Sequence, residues 1–124
     1  MFKNILLKKD SNIKDALVML NNGGLQIVLV IDDQKKLIGT ISDGDIRRGL
    51  LDKKTLDSSI LEIMNSKFIF AKQNQGKLFA LEIMKKNFIN QLPILDDFGR
   101  VIDLFLLKDL INVPLEKKNA VVIM

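Results

Sequence analysis

The chain has 124 residues, 48% of them hydrophobic and 27% charged, which fits one compact domain with an apolar core and excludes a disordered composition. Its 19 basic and 15 acidic residues give a net charge of only +4, and its lysines stand in scattered pairs, which argues against a nucleic-acid partner. No apolar run approaches the roughly 20 residues that a membrane helix needs, which argues against a membrane partner. The absence of Cys and His excludes disulfides, a thiol nucleophile, a Ser-His-Asp triad and the usual zinc site, so no metal is predicted.

The first predicted elements are a short strand and a helix. Residues 5–7 form an apolar run, and Asp-Ser-Asn at 10–12 supplies N-cap candidates for the helix that follows. The two glycines at 23–24 end this helix, because glycine adopts the left-handed conformation without steric cost. The apolar face of the helix is predicted to consist of Ile13, Ala16, Leu17 and Leu20.

Two strands and a second helix are predicted next. The continuous apolar run at 27–31 is typical of a strand buried on both faces. A turn at 32–35 leads into a strand at 37–42, and a helix is expected at 43–51. The first half of the chain is thus predicted to have the order strand, helix, strand, strand, helix.

The second half repeats this order. A shift of 64 positions aligns it with the first half without a gap, so that Ile5 falls on Ile69 and Asp45 on Asp109. The connecting segment at 52–64 is expected to be partly helical after Ser58 or Ser59. The repeated elements are predicted at 68–71, in a helix with Leu78, Leu81 and Met84, at 92–95, at 101–105 and in a helix through Leu110.

Neither repeat, at about 50 residues, would bury enough surface alone. We therefore expect one domain of two intertwined units. Unit 1 is predicted at residues 1–55 and unit 2 at 56–114, with a linker and an apolar strand at 115–124.

The stretches at 28–33 and 37–48, ending in Ser-Asp-Gly-Asp-Ile-Arg-Arg, resemble the most recognisable part of a CBS (cystathionine-β-synthase type) module, and 92–104 resembles a second copy. This resemblance implies an α/β fold of tandem βαββα modules related by a pseudo-twofold axis. It also implies that adenine nucleotides such as AMP or ATP bind as regulatory ligands in clefts between the modules, with no catalytic cofactor.

The family's Ser/Thr-x-x-Asp motif falls on Ser42 and Asp45, which would contact the phosphate and the ribose hydroxyls. A helix N-terminus suits a phosphate, and Arg47 or Arg48 would add positive charge. The same spacing also fits a capping box, in which Ser42 and Asp45 only stabilise the helix start. The resemblance assigns the adenine wall of this first site to Lys67, Phe68, Ile69, Asn90, Gln91 and Pro93.

The mirror site would combine Asp109 with Ile5, Gln26 and Ile27. Here Leu106 replaces the Ser/Thr of the motif and Asp103 replaces a glycine. We therefore expect the second site to be weak or inactive.

The last residues, 119–124, resemble the opening strand of a sugar-nucleotide nucleotidyltransferase, a class in which CBS pairs occur ahead of the catalytic domain. This leads to the expectation of a regulatory region joined to such an enzyme, the alternative being an ordinary C-terminal strand. A dimerisation module without a ligand is the competing function, and a catalytic role for the chain is not indicated. A cytoplasmic homodimer is expected, with its interface on helix faces carrying Leu50, Leu51, Leu107, Leu110 and Ile111.

Overall fold

The computed structural model describes residues 2–111, which form a mixed α/β structure with two three-stranded sheets. The elements of unit 1 are β1 (Leu6–Lys8), α1 (Ile13–Gly23), β2 (Val28–Ile31), β3 (Leu37–Ile41) and α2 (Asp43–Leu51). The elements of unit 2 are β4 (Ala71–Lys72), α3 (Gly76–Asn87), β5 (Gln91–Leu95), β6 (Val101–Leu106) and α4 (Leu107–Ile111). The predicted βαββα order is confirmed in both units. The predicted linker and strand at 115–124 lie outside the described residues.

The two sheets repeat each other in register. In each sheet the first strand runs parallel to the second, and the second runs antiparallel to the third. Leu7 pairs with Val30 as Ala71 pairs with Ile94, and the same irregularity follows Val30 and Ile94. The duplication seen in the sequence is therefore a duplication of backbone pairing as well.

Helix α1 begins and ends where the local sequence predicts. The Asn12 side chain accepts from Asp15 N at 2.9 Å, and the Asp15 carboxylate accepts from Asn12 N at 3.1 Å, which closes a capping box. Gly24, with φ of 70°, ends the helix in the left-handed conformation. Ile13 and Ala16 are fully buried, whereas Leu17 is 38% exposed and lies at the edge of the predicted apolar face.

An aspartate organises each hairpin turn. Asp32 Oδ1 accepts from the backbone N–H groups two and four residues later, at 2.8 and 3.0 Å, and Asp96 Oδ1 does the same at 2.8 and 2.9 Å. The N–H groups of Lys36 and Arg100 contribute most to lowering the pKa of Asp32 and of Asp96 below the usual range. Each turn is therefore stabilised by a charged carboxylate.

Unit 2 departs from the prediction at three places. Strand β4 begins at Ala71 and not at residue 68, because the chain from 68 to 70 does not pair with β5. Leu78 is 73% exposed, whereas Met84, predicted on the same face of α3, is fully buried together with Ala80. Leu110, predicted on an exposed face, is buried in the core of unit 2.

The apolar core has three parts, and the middle one is shared. One cluster is formed by unit 1 together with Ile60 of the connecting segment, and another lies within unit 2. The middle cluster joins the two units through Ile5, Leu29, Leu37, Leu95, Leu104 and Leu106. Burial of this shared surface supplies the apolar area that one unit of this size would lack.

Hydrogen bonds also cross between the units. The two hairpin turns meet where Lys36 bridges to Arg100, and Leu37 N donates to Gly99 O at 2.9 Å. Lys36 and Arg100 occupy equivalent positions in the repeat, so this contact lies on the pseudo-twofold axis.

The connecting segment packs on unit 1. A short 3₁₀ helix at Ile60–Glu62 begins after Ser59, whose hydroxyl accepts from Leu61 N, and this confirms the predicted helical turn. Asn65 then pairs with Thr40 on β3 through two backbone hydrogen bonds of 2.8 and 3.0 Å. The boundary predicted after residue 55 therefore precedes a segment that belongs to the packing of unit 1.

Candidate functional site

The start of α2 supplies the polar end of the candidate site. Ser42 leaves β3 in an extended conformation and caps the helix: its Oγ accepts from Asp45 N at 3.3 Å, and its own N donates to Asp45 Oδ2 at 2.8 Å. The Ser42 hydroxyl also donates to Asp45 Oδ2 at 3.0 Å. The capping box considered from the sequence is therefore formed.

The two arginines that follow, Arg47 and Arg48, bind to different carboxylates. Arg48 bonds through Nη2 to Asp45 Oδ1 at 2.7 Å, one helical turn along. Arg47 pairs with Asp43 on the exposed face of the helix. Of the two candidates for a phosphate-binding cation, Arg48 is the one that lies beside the motif.

A cleft of about 300 Å³, here called the first cleft, opens between the units in front of Asp45. The structure brings together most of the residues predicted for the first site, with Arg47 and Asn90 lying outside the lining. Ile27, predicted for the mirror site, lines the first cleft. The full lining consists of Ile27, Thr40, Ser42, Asp45, Arg48, Asn65, Lys67, Phe68, Ile69, Ile89, Gln91 and Pro93.

The chemistry of the first cleft is divided between apolar and charged groups. Strands and loops of both units contribute five apolar side chains, among them Phe68 and Pro93. The polar contribution includes the partly buried Asp45 carboxylate, with an exposed fraction of 15%, and the cations Arg48 and Lys67. Such a cleft suits a ligand with a flat apolar ring, hydroxyl donors and an anionic group.

Sequence reasoning missed Thr40, Asn65 and Ile89. Thr40 and Asn65 enter the cleft because the connecting segment pairs with β3, a long-range contact that no local motif indicates. The Asn65 side chain accepts from Lys67 N at 3.0 Å, which fixes the turn that leads to Phe68. The sequence contains one signal for Ile27: the shift of 64 positions makes it the equivalent of Gln91, which was predicted for the first site.

A second cleft, of about 370 Å³, lies near the equivalent position in the repeat. Of the residues predicted for the mirror site, Gln26 lines it; Asp109 does not, and Ile5 is fully buried in the shared core. Its lining consists of Gly24, Leu25, Gln26, Asn90, Gln91, Leu106, Leu107, Lys108 and Ile111.

The second cleft lacks the helix cap of the first. Leu106 has no side-chain acceptor, and its backbone remains paired with Gln91, whereas the equivalent Ser42 has left the strand. Helix α4 consequently begins without a side-chain cap, and no carboxylate enters the lining among the residues that the structure describes.

Two further properties apply to residues 2–111. No cluster of His, Cys, Asp or Glu within this range has the arrangement needed to hold a metal ion. None of the helices in the same range combines the length and the apolar character required to cross a bilayer.

The family model described as "CBS domain" matches the chain twice, at residues 1–52 and 60–116. A curated relative, arabinose 5-phosphate isomerase GutQ of Escherichia coli O6:H1, is 30% identical over 99 residues, which cover 80% of this chain and 31% of that protein. The chain spans between 21% and 34% of the length of the first three curated relatives that it matches.

Solved structures share the fold. The CBS domain pair of protein MJ0100, in complex with 5-methylthioadenosine and S-adenosyl-L-methionine, aligns with a TM-score of 0.75 at 26% identity and covers 88% of this chain and 89% of that one. The CBS domain protein PAE2072 from Pyrobaculum aerophilum, complexed with AMP, aligns with a TM-score of 0.78 at 18% identity, covering 90% and 86%.

Proposed function

The chain belongs to the CBS domain family, with one match in each unit, and from this membership we propose that it is a regulatory module that binds an adenine nucleotide in the first cleft. The observation that carries the proposal is the grouping of Asp45, Arg48 and the apolar wall around Phe68 in that cleft. The adenine ligands named for the two solved structures support the choice of base.

The roles follow from the chemistry of each group. Asp45 accepts hydrogen bonds from the ribose hydroxyls, and Arg48 with the N-terminal end of α2 attracts the phosphate. The adenine ring lies against the apolar wall, where its burial contributes most of the affinity. The chain itself performs no reaction in this proposal, and no catalytic cofactor or metal takes part.

The test is the melting temperature of the purified chain during titration with AMP, ADP and ATP. A ligand at about 100 times its Kd stabilises the folded state by about 2.7 kcal/mol, which is readily measured. We expect Asp45→Ala to abolish this stabilisation while costing the fold only about 0.5–2 kcal/mol, the value of a helix-start carboxylate. If Asp45→Ala binds like the parent and only melts earlier, the carboxylate is a cap and nothing more.

Two matched controls separate binding from helix stability. Asp43→Ala removes a carboxylate from the same helical turn, but Asp43 pairs with Arg47 outside the cleft, so binding should persist. Asp109→Ala removes the equivalent residue of unit 2, which lies outside the second cleft, and should also leave binding unchanged. A large loss of binding in Asp109→Ala would show that the second site is active.

A second candidate function is a dimerisation module that binds no ligand. Leu51 on α2 is 79% exposed, which favours an apolar interface. This candidate predicts that no nucleotide raises the melting temperature while the chain still dimerises.

The regulatory role rests on the position of the first cleft between the units. A nucleotide that contacts Ser42 and Asp45 on unit 1 and Phe68 and Pro93 on unit 2 would fix their relative angle, and it shifts an equilibrium only if it prefers one angle. Coupling of this kind typically amounts to about 1–3 kcal/mol, or about 5–150-fold in affinity. In a longer chain with its enzyme attached, equal substrate affinity with and without nucleotide would contradict this role.

We propose a sugar-phosphate nucleotidyltransferase as the attached enzyme and the cytoplasm as the location. Support for the enzyme comes from the resemblance of residues 119–124, and support for the location from the lack of cysteine. Release of pyrophosphate from a nucleoside triphosphate by the longer chain, dependent on a sugar phosphate, would support this enzyme class. Hydrolysis or isomerisation of the sugar phosphate alone would contradict it.

A further inference from the structure

Thr40 lies on the face of β3 that is directed toward unit 2. Its register partner on β2 is Leu29, which is fully buried in the shared middle cluster, whereas the next residue, Ile41, pairs with Val28 in the core of unit 1. Opposite residues of two paired strands direct their side chains to the same face, and successive residues direct theirs to opposite faces. The Thr40 side chain therefore points between the units, and it lines the first cleft but not the second.

The fold does not require a polar side chain at this position. The shift of 64 positions makes Leu104 the equivalent of Thr40, and Leu104 is buried in the shared middle cluster. Thr40 itself is 8% exposed, and among residues 2–111 it is the one polar or charged residue that is buried. A hydroxyl thus occupies a buried position at which the same fold also accepts an aliphatic group.

The Thr40 hydroxyl has no hydrogen-bond partner within the part of the chain that the structure describes. The polar side chains nearest to it are engaged elsewhere, because Ser42 donates its hydroxyl to Asp45, and the side-chain oxygen of Asn65 accepts from Lys67 N. The backbone N–H and carbonyl of Thr40 are both used in its pairing with Asn65. Since a buried polar group without a partner is unfavourable, the hydroxyl is suited to bind a polar group that enters the first cleft.

Thr40 lies away from the group proposed to hold the phosphate. Strand β3 runs toward α2, so Thr40 precedes Ser42 by two residues, or about 6.5–7 Å along an extended strand. On its other side Thr40 pairs with Asn65, in the turn that leads to Phe68. The phosphate is proposed to bind the start of α2 with Arg48, and the base is proposed to lie against the wall that contains Phe68. The hydroxyl consequently lies beside the nucleoside part of the ligand.

We propose that the Thr40 hydroxyl is a ligand contact that hydrogen-bonds the nucleoside part of the nucleotide in the first cleft. This inference rests on the proposed function, since it requires a nucleotide to bind there. A hydroxyl both donates and accepts, so a ring nitrogen, an amino group or a sugar hydroxyl satisfies it. Thr40 thereby joins Asp45 and Arg48 as a third polar contact, and its contact is independent of the phosphate.

The experiment measures the Kd values of AMP and adenosine by isothermal titration calorimetry, with competition against AMP where adenosine binds weakly. We expect Thr40→Val to weaken both ligands by the same factor, about three- to tenfold, the usual net value of one hydrogen bond. The unliganded variant should melt at or above the parental temperature, because the substitution removes no hydrogen bond within the protein. Thr40→Ser retains the hydroxyl and should bind AMP within about twofold of the parent.

Thr55→Val is the matched control. Thr55 lies in the connecting segment outside the first cleft, and its hydroxyl accepts from Asp57 N at 3.3 Å. This variant should lower the melting temperature and leave both Kd values unchanged. The two threonine substitutions are therefore expected to separate binding from stability.

The possible outcomes distinguish this inference from the function on which it rests. Parental Kd values in Thr40→Val overturn the contact, leave nucleotide binding standing, and make Thr40 a strand residue only. A loss of affinity for AMP with none for adenosine assigns the hydroxyl to the phosphate and also overturns the inference. If AMP does not bind the folded parent, the proposed function fails, and the role of Thr40 fails with it.

Discussion

The carboxylate of Asp45 is oriented by its own helix before any ligand contact is considered. Ser42 contributes an N–H and a hydroxyl to one carboxylate oxygen, and Arg48 contributes a guanidinium N–H to the other. Because these bonds already restrict the side chain, a ligand that uses it loses little conformational entropy on binding. Arg48 is 72% exposed and is therefore the partner of Asp45 that can rearrange most easily, as the proposed phosphate contact would require.

Phe88 provides a residue-scale prediction about stability. It ends α3 in the left-handed conformation with φ of 56°, and its side chain is 93% exposed, whereas the equivalent position in α1 is Gly24. Since this conformation costs an L-residue about 1–2 kcal/mol and little apolar surface would be lost, Phe88→Gly should raise the free energy of unfolding by about 0.5–1 kcal/mol. Urea unfolding followed by circular dichroism measures the change.

The matched variant is Gly24→Ala. No atom lies within 4 Å of the added methyl group, so the variant isolates backbone strain and should lower the free energy of unfolding by about 1 kcal/mol. A loss of stability in Phe88→Gly would mean that the Phe88 ring makes contacts in solution that outweigh its backbone strain.

Residue identity in the sequence was enough to find part of the site. The spacing of Ser42 and Asp45 indicated both a helix cap and a binding motif, and the cap is confirmed. Spacing alone did not decide whether Arg47 or Arg48 is the cation beside the motif, because this depends on the direction in which each side chain leaves the helix. Arg48 lies three residues after Asp45 and bonds to it, while Arg47 lies four residues after Asp43 and pairs there.

At the scale of elements, the internal repeat allowed more to be predicted than either half alone. The order of strands and helices, the two aspartate turns and the start of α2 follow from local signals that occur twice. The exposed Leu78 shows the limit of periodicity, because tertiary packing and not spacing alone decides which side of α3 faces the core. The path of residues 60–65 could not be predicted from the sequence either, because it depends on the long-range pairing of this segment with β3.

Gly39 on β3 offers a test of that pairing. A methyl group added at this position would overlap the side chain of Met64 at its sulfur and lie 3.2 Å from its Cβ, so the side chain would have to rotate and the connecting segment would have to shift slightly. We expect Gly39→Ala to lower the free energy of unfolding by about 1–3 kcal/mol, the usual cost of overpacking. It should also weaken nucleotide binding, because Asn65 and Lys67 follow Met64 into the first cleft.

Met64→Ala supplies the control for this effect. In the double variant the shortened side chain makes room, so the combined loss of stability should be smaller than the sum of the two single losses. Additive losses measured by thermal unfolding would mean that the steric conflict at Met64 is not the cause.

At the scale of the whole molecule, exposed apolar side chains lie on helices of both units. Leu51 on α2 is 79% exposed and Leu78 on α3 is 73% exposed. Leu110, considered for an interface from the sequence, is buried, so it cannot contribute. We predict a twofold-symmetric homodimer formed through these helices, which sedimentation equilibrium at micromolar concentration would report as twice the monomer mass of 14.1 kDa.

Substitutions locate the interface. Leu51→Glu and Leu78→Glu should each shift the equilibrium toward monomer, because a charge buried in an apolar contact is unfavourable. Phe98→Glu alters a side chain of similar exposure, 67%, in a hairpin turn and should leave the dimer intact. A parent chain that sediments at the monomer mass would contradict the prediction.

The contact between Lys36 and Arg100 has a consequence for folding at high concentration. The hairpin turn of unit 1 pairs with the equivalent turn of unit 2 in the same chain. The same two turns are also able to pair when they belong to two different chains. Within one chain the connecting segment keeps the partner unit at an effective concentration on the order of millimolar, so dilute refolding favours pairing between the two units of the same chain. At comparable protein concentrations, unit 2 of one molecule competes for unit 1 of another, and domain-swapped oligomers become the characteristic misfolded product.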